Sequence, residues 1–284
     1  MMKSLKQIKN RIRSTENTKK VTAAMEMVSV AKLNRTERDL LALRPYVASL
    51  TSLTHNLINS QDKARHSLLE VRQGPDKICL CVITSDSGLC GSYNNNIIRA
   101  ADNFINTRGR DKVDLVCVGR KGFNYFNKNN LSILNTYIGL NGRFSSNAAA
   151  GIIDNLTGIF ISGKASGVYI AYTHFKTALV HEPRVEKILN IEPLPGPKTE
   201  YILEPDITSI LNEIIPRYIS MRLRLIILEA FTAEHSARTV AMKTATDNAR
   251  DLLQGLVLLR NKVRQANITQ EIMEIISSSE ALKG

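Results

Sequence analysis

Tryptophan is absent from the 284 residues, and all aromatics together make up 5%. A compact globule of this size usually anchors its core on more large rings than that. The deficit suits long helices packed through Leu, Ile, Ala and Met. No apolar run approaches the ~20 residues needed to span a bilayer, which excludes a transmembrane helix. The start, MMKSLKQIKNRIRS, lacks the apolar centre of a secretory signal, and its helical pattern continues past Glu16 without a cleavage-like break. It is therefore read as mature protein. Cysteine is sparse: Cys79, Cys81, Cys90 and Cys117. No Cys-x-x-Cys pair occurs and His is scarce, so no zinc site is expected, and the thiols are expected to be buried and reduced.

Glycine and proline are missing where it matters most. There is no Gly before Gly74, and after Gly196 only Gly255 and Gly284. No Pro precedes Pro45 or follows Pro216. Both residues punctuate turns and weaken helix interiors, so the two ends read as long helices. The N-terminal one covers residues 1–57, with a bend expected at Pro45. The C-terminal one covers 208–284, with its clearest helical pattern from Arg217 onward. From there it would run about 100 Å at 1.5 Å per residue, too long for a compact domain, so it needs a partner helix.

Apolar spacing supplies the pairing. Met242, Ala245, Ala249, Leu252, Leu256, Leu259, Val263 and Ala266 follow a 3-4-3-4 rhythm, a heptad seam. Extended backwards, the seam is interrupted by polar residues, His235 and Arg238 among them. At the other end Leu5, Ile8, Ile12, Val21, Met25 and Val28 recur at helical spacing. With a whole domain between them, the two helices are expected to lie antiparallel.

That domain, residues 75–205, alternates strand-like and helix-like runs. Lys77 to Thr84, Val113 to Val118 and Gly167 to His174 read as buried strands, and Arg184 to Ile191 as an edge strand. Residues 94–107, 120–127 and 146–162 read as helices. The βαβ alternation predicts a Rossmann-like, mostly parallel α/β domain. The fold class is thus α/β, with a long antiparallel coiled coil of the terminal helices.

No catalytic constellation is visible. The turn TSDSGLCGSYN, Thr84 to Asn94, joins a strand to a helix and has the placement of a phosphate cradle. It lacks both the Walker Gly-Lys-Ser/Thr ending and the G-x-G-x-x-G spacing, so a structural turn is the better account. His181-Glu182 is an isolated pair. Gly-x-Ser-x-Gly, His-Glu-x-x-His and EF-hand patterns do not occur. Catalytic, cofactor and metal residues are expected to be none, and the chain is not expected to be an enzyme.

What the chain has in excess is positive charge, +12 overall. Residues 1–38 hold ten Lys or Arg against three Glu, and residues 217–266 nine against four acids. Such a balance calls for an acidic partner. A nucleic-acid-binding coiled coil is one alternative. Against it, the basic residues lack aromatic interleaving and a groove-reading cluster. A nucleotide-dependent enzyme is a second, and it lacks the phosphate-binding Lys.

Three further stretches carry a resemblance: TENTKKVTAAMEMVSVAKL (15–33), EHSARTVAMKTATDNA (234–249) and NKVRQANITQEIMEII (261–276). With the turn TSDSGLCGSYN they resemble, in order, the gamma subunit of rotary, F-type ATP synthases, across essentially the whole chain. Ser87 departs from the family's usual basic residue. Ser278-Ser279-Glu280 departs from its Gly-Ala run, and the regulatory Cys insert of chloroplast relatives is missing. The resemblance implies a non-catalytic central-stalk rotor that couples turning of a proton-driven membrane ring to conformational change at catalytic sites on beta. It implies as partners three alpha and three beta subunits, an epsilon subunit and the c-ring, with no nucleic acid. The implied place is peripheral, on the cytoplasmic face of a bacterial inner membrane. By motif match, Met25 and Lys32 are expected near a moving acidic loop of beta. Arg264, Gln265, Thr269 and Glu271 are expected against a second beta loop. Tyr201 and Glu204 are expected on the polar loops of the rotor ring.

Overall fold

A computed structural model describes residues 5–60, 66–69, 76–191, 204 and 206–281. By their contacts the residues form two compact units, 29–238 and 1–28 with 239–284. Two long helices, α1 (Leu5–Ser60) and α5 (Ile207–Ala281), contribute to both.

The larger unit is built on five strands. β1 (Ile78–Ile83), β2 (Val113–Val118), β3 (Ile133–Tyr137), β4 (Val168–Phe175) and β5 (His181–Leu189) lie in the order β3-β2-β1-β4-β5. β1 pairs in parallel with β2 and β4, β2 with β3, and β5 closes the edge antiparallel to β4. The sequence explains the centre: ICLCVI and VDLVCV are nearly unbroken apolar runs, as expected of strands covered on both faces. One face, with Leu80, Val82, Leu115 and Cys117, is covered by α2 (Tyr93–Arg108) and α3 (Arg120–Lys128) through Ile97, Ala101, Ile105 and Phe126. The other, with Cys79, Cys81, Val116 and Ile170, meets α4 (Ser146–Ile161), Leu50 and Leu57 of α1, and Leu211 to Phe231 of α5. All four thiols are buried, and burial pushes those of Cys79 and Cys117 up to about 12.

Strand β3 has no counterpart among the sequence expectations. It is a half-exposed edge, ILNTY, and supplies too little apolar signal to be seen. α1 runs through Pro45, and α5 starts at Ile207, one residue before the expected 208, and runs through Pro216. In each case the proline and the residue four before it, Leu41 or Asn212, are exposed, so the carbonyl that loses its donor can face water. Asp206 starts α5. Its carboxylate accepts the Thr208 and Ser209 N–H groups at 2.8 and 2.9 Å and the Ser209 hydroxyl at 2.6 Å, and these bonds hold its pKa below the usual carboxylate value.

The smaller unit pairs the two helices antiparallel. Ile8 and Ile12 bury against Leu256, with Leu253, Val257 and Val263 around them, and Thr22 Oγ1 lies 2.8 Å from Thr246 Oγ1. The seam expected from heptad spacing is half right. Met242, Ala249 and Leu256 are buried, but Leu252 and Leu259 are 46% and 39% exposed. The second row instead runs through Thr246 and Leu253, four residues after each buried position and not three. On α1, Val21 and Val28 are exposed, and Thr22 takes the inward place.

Candidate functional site: a filled crevice and an uncovered helix

In doubly wound sheets ligands enter at the carboxyl ends of the strands, where the strand order reverses. Here that point lies between β1 and β4, beside the turn 84–92. The turn is built from internal hydrogen bonds. Thr84 Oγ1 accepts the Gly122 N–H at 2.9 Å, and the approach is so close that a Cβ on Gly119 would lie 2.1 Å from the Thr84 carbonyl oxygen. With its φ of +93°, Gly119 is the residue this contact demands. The Asp86 carboxylate accepts three backbone N–H groups, from Arg120, Gly139 and Asn141, at 3.1, 3.0 and 2.7 Å.

Helix α5 fills what remains. Arg238 donates to Ser87 Oγ and the Ser87 carbonyl at 3.1 and 3.3 Å, to the Gly88 carbonyl at 3.4 Å, and to Glu234 at 2.8 Å. His235 Nε2 donates to the Gly142 carbonyl at 2.8 Å, and Lys32 reaches the Asn141 carbonyl at 3.4 Å. Glu234, His235 and Arg238 are all buried. Burial pushes the Glu234 carboxyl up, opposed by Arg238. Burial lowers His235 to about 4, assisted by Lys32 and Arg238 and opposed by the bond to Gly142. Lys32 is lowered by burial and by Arg143 and Arg238. The arrangement locks a helix to a turn. Its cation is already bonded, which leaves no phosphate cradle at the place a nucleotide would need one.

Sequence reasoning gave Glu234, His235, Arg238 and Asp86 no role. A signal existed: His235 and Arg238 are polar interruptions of an otherwise apolar seam. Ser87, the departure from the resemblance, serves here as an acceptor for Arg238.

The residues expected at partner surfaces fall in several places. Met25 is half-buried in the smaller unit, and Lys32 half-buried in the larger. Arg264, Gln265, Thr269 and Glu271 are exposed on α5. Spacings of four and seven residues put Gln265 beside Thr269, whose hydroxyl donates to the Gln265 carbonyl at 3.0 Å, and put Arg264 on the side of Glu271. Glu204 is exposed, and Tyr201 lies outside the described residues. Beyond Val263 every described α5 side chain is exposed, including Ile268, Ile272, Met273, Ile275 and Ile276. Among the described residues no cluster of His, Cys, Asp or Glu could hold a metal, and no helix is long and apolar enough to cross a membrane.

An α/β unit whose ligand crevice is closed by its own helix, and a helix pair with one uncovered apolar end, define a scaffold subunit made to engage other chains. A family profile described as ATP synthase matches residues 4–282. ATP synthase gamma chains of Geotalea uraniireducens and Pelotomaculum thermopropionicum are 38% and 36% identical, covering 100% and 99% of this chain and 100% of each relative. Two solved structures share the fold. A chain of the Euglena gracilis mitochondrial ATP synthase has a TM-score of 0.68 at 17% identity, covering 98% of this chain and 94% of that one. One from the Tetrahymena thermophila central stalk and c-ring has a TM-score of 0.62 at 22% identity, covering 79% and 99%.

The chain belongs to the ATP synthase gamma-chain family. It is a peripheral, central-stalk rotor subunit of a membrane complex, is not itself catalytic, and couples rotation to the catalytic sites on beta.

Proposed function

We propose that the rotor engages its partners through both its helical shaft and its α/β head. The apolar end of α5, with Arg264, Gln265, Thr269 and Glu271 beside it, turns inside a ring of three alpha and three beta subunits, and the polar four meet a beta loop. The carrying observation is the exposed set Ile268, Ile272, Met273, Ile275 and Ile276, an apolar surface no described segment of the chain covers. Contiguous exposure of this kind marks a protein contact. Met25 and Lys32 face an acidic loop of beta, in keeping with the net charge of +12. The head, 75–205, rests on an epsilon subunit, and Tyr201 and Glu204 on the polar loops of the c-ring. The helices 1–57 and 208–284 form the shaft, and no nucleic acid takes part. The driving ion is the proton, and the complex sits on the cytoplasmic face of a bacterial inner membrane.

An asymmetric shaft presents a different side to each beta subunit and so favours a different nucleotide affinity in each. Moving a two-state site from 1:99 to 99:1 takes about 5.5 kcal/mol of differential interaction, which many weak contacts can share.

Met25→Lys tests this placement. A thioether makes weak, adaptable contacts. A lysine would add a charge-assisted bond of about 1.5–3 kcal/mol to the acidic loop, to be broken at every step. Pumping per ATP hydrolysed should fall in membrane vesicles while hydrolysis continues, with partial relief by salt. An unchanged ratio would remove Met25 from the beta surface.

A further inference from the structure

We propose that a cavity at the N-terminus of α2 binds a free oxyanion of phosphate size. The cavity has a volume of about 200 Å³ and lies on the α2 side of the sheet, within the larger unit. Ser92, Tyr93 and Asn96 of the α2 start line one wall, Thr173 of β4 and His181 of β5 the other. It is separate from the crevice that Arg238 fills.

Two buried polar atoms there have no hydrogen-bond partner among the described residues: Thr173 Oγ1, on a side chain only 4% exposed, and His181 Nε2. Such groups are rare in folded proteins and ask for an occupant. Neighbouring groups do not satisfy them. The Tyr93 hydroxyl donates to the Ala230 carbonyl at 3.0 Å. Burial pushes the Tyr93 hydroxyl up, and nearby Thr173 only weakly opposes this, without meeting it in hydrogen-bond geometry. Ser92 Oγ accepts from Asn96 Nδ2 at 3.2 Å, which leaves the Ser92 hydroxyl proton to point elsewhere.

The chemistry of the lining selects the ligand. Thr173, Ser92 and the Nε2–H tautomer of His181 all donate. No carboxylate lines the cavity, and none lies in the first turn of α2. The 16-residue helix directs its partial positive end here, and its N-cap Ser92 makes no side-chain cap bond. An acceptor-only, negatively charged guest fits these donors, and a cation does not. Size sets the upper limit. At ~30 Å³ per water the space takes a few waters or one phosphate, and pockets for drug-sized or cofactor ligands run to roughly 300–1,000 Å³. A whole nucleotide is therefore too large for the space, and free phosphate is favoured.

The test follows His181 by NMR in the full-length, histidine-labelled chain during titration with inorganic phosphate. A saturable shift of the His181 signal is expected, at least tenfold weaker in Thr173→Val and in Ser92→Ala. Thr173→Val keeps the shape and removes the hydroxyl, and its thermal midpoint checks that the fold is intact. ATP should not move the His181 signal at concentrations where phosphate saturates it. No shift at tens of millimolar phosphate would overturn the site and leave the cavity to water. A shift unchanged by either variant would place the anion elsewhere. ATP acting as strongly as phosphate would overturn the assignment to a free oxyanion.

Discussion

His235 shows how a single buried residue ties the larger unit to pH. Its imidazole sits near 4 when folded against 6.5 when exposed, because burial penalises the cation and Lys32 and Arg238 face it. A folded pKa below the unfolded one means that the unfolded chain binds the proton more readily. The stability this group allows is complete above pH 6.5 and is lost as pH falls toward 4. Between pH 7 and 5 the loss should be about 2 kcal/mol. Glu234 works in the opposite sense, since its raised carboxyl pKa favours the folded state at low pH. The two are separated by His235→Gln, which keeps a donor for the Gly142 carbonyl and cannot titrate. Urea unfolding at pH 7 and pH 5 should show a smaller pH-dependent loss in that variant, by about 2 kcal/mol. Equal losses in both chains would mean that His235 is solvated.

At the scale of elements, α1 and α5 illustrate where periodicity stops being sufficient. Leu252 and Leu256 carry the same side chain four residues apart, yet one is 46% exposed and the other 7%. Leu256 packs on Ile8 and Ile12. Leu256→Ala should therefore cost about 2–3 kcal/mol, and Leu252→Ala within about 0.5 kcal/mol, both measured by unfolding of the isolated chain. Comparable losses would restore the seam as heptad spacing drew it. The prolines teach a related lesson. Pro45 and Pro216 read as punctuation in a linear sequence, but on outward helix faces the carbonyl each one frees can stay hydrated, and the helices continue.

For the molecule as a whole, the end of α5 is the part that folding alone leaves unfinished. Ile272 and Ile276 are 51% and 52% exposed, one turn apart. Ile272→Asp combined with Ile276→Asp should leave the stability of the isolated chain within about 0.5 kcal/mol of wild type. Assembly with the alpha–beta ring should fall sharply, because two charges would enter an apolar contact. Co-purification of the ring with the tagged chain measures it. Undiminished recovery would mean that this end stays in water within the complex.

The sequence by itself determined a good deal: the α/β class, two long helices at the ends, the first, second, fourth and fifth strands, the α2, α3 and α4 segments, and the need for partners. Those features rest on local rules, namely where glycine and proline fall, how apolar residues repeat, and how charge accumulates. Tertiary structure decided the rest. Strand β3 is an edge with little apolar content, so only its pairing with β2 defines it. Which leucines of α5 face α1 depends on the phase of two real helices, which a seven-residue repeat approximates and does not fix. The Arg238–Ser87 and His235–Gly142 bonds join residues 151 and 93 positions apart. No local pattern can announce such bonds, because only the packing of α5 onto the strand ends brings a helix cation to the turn after β1.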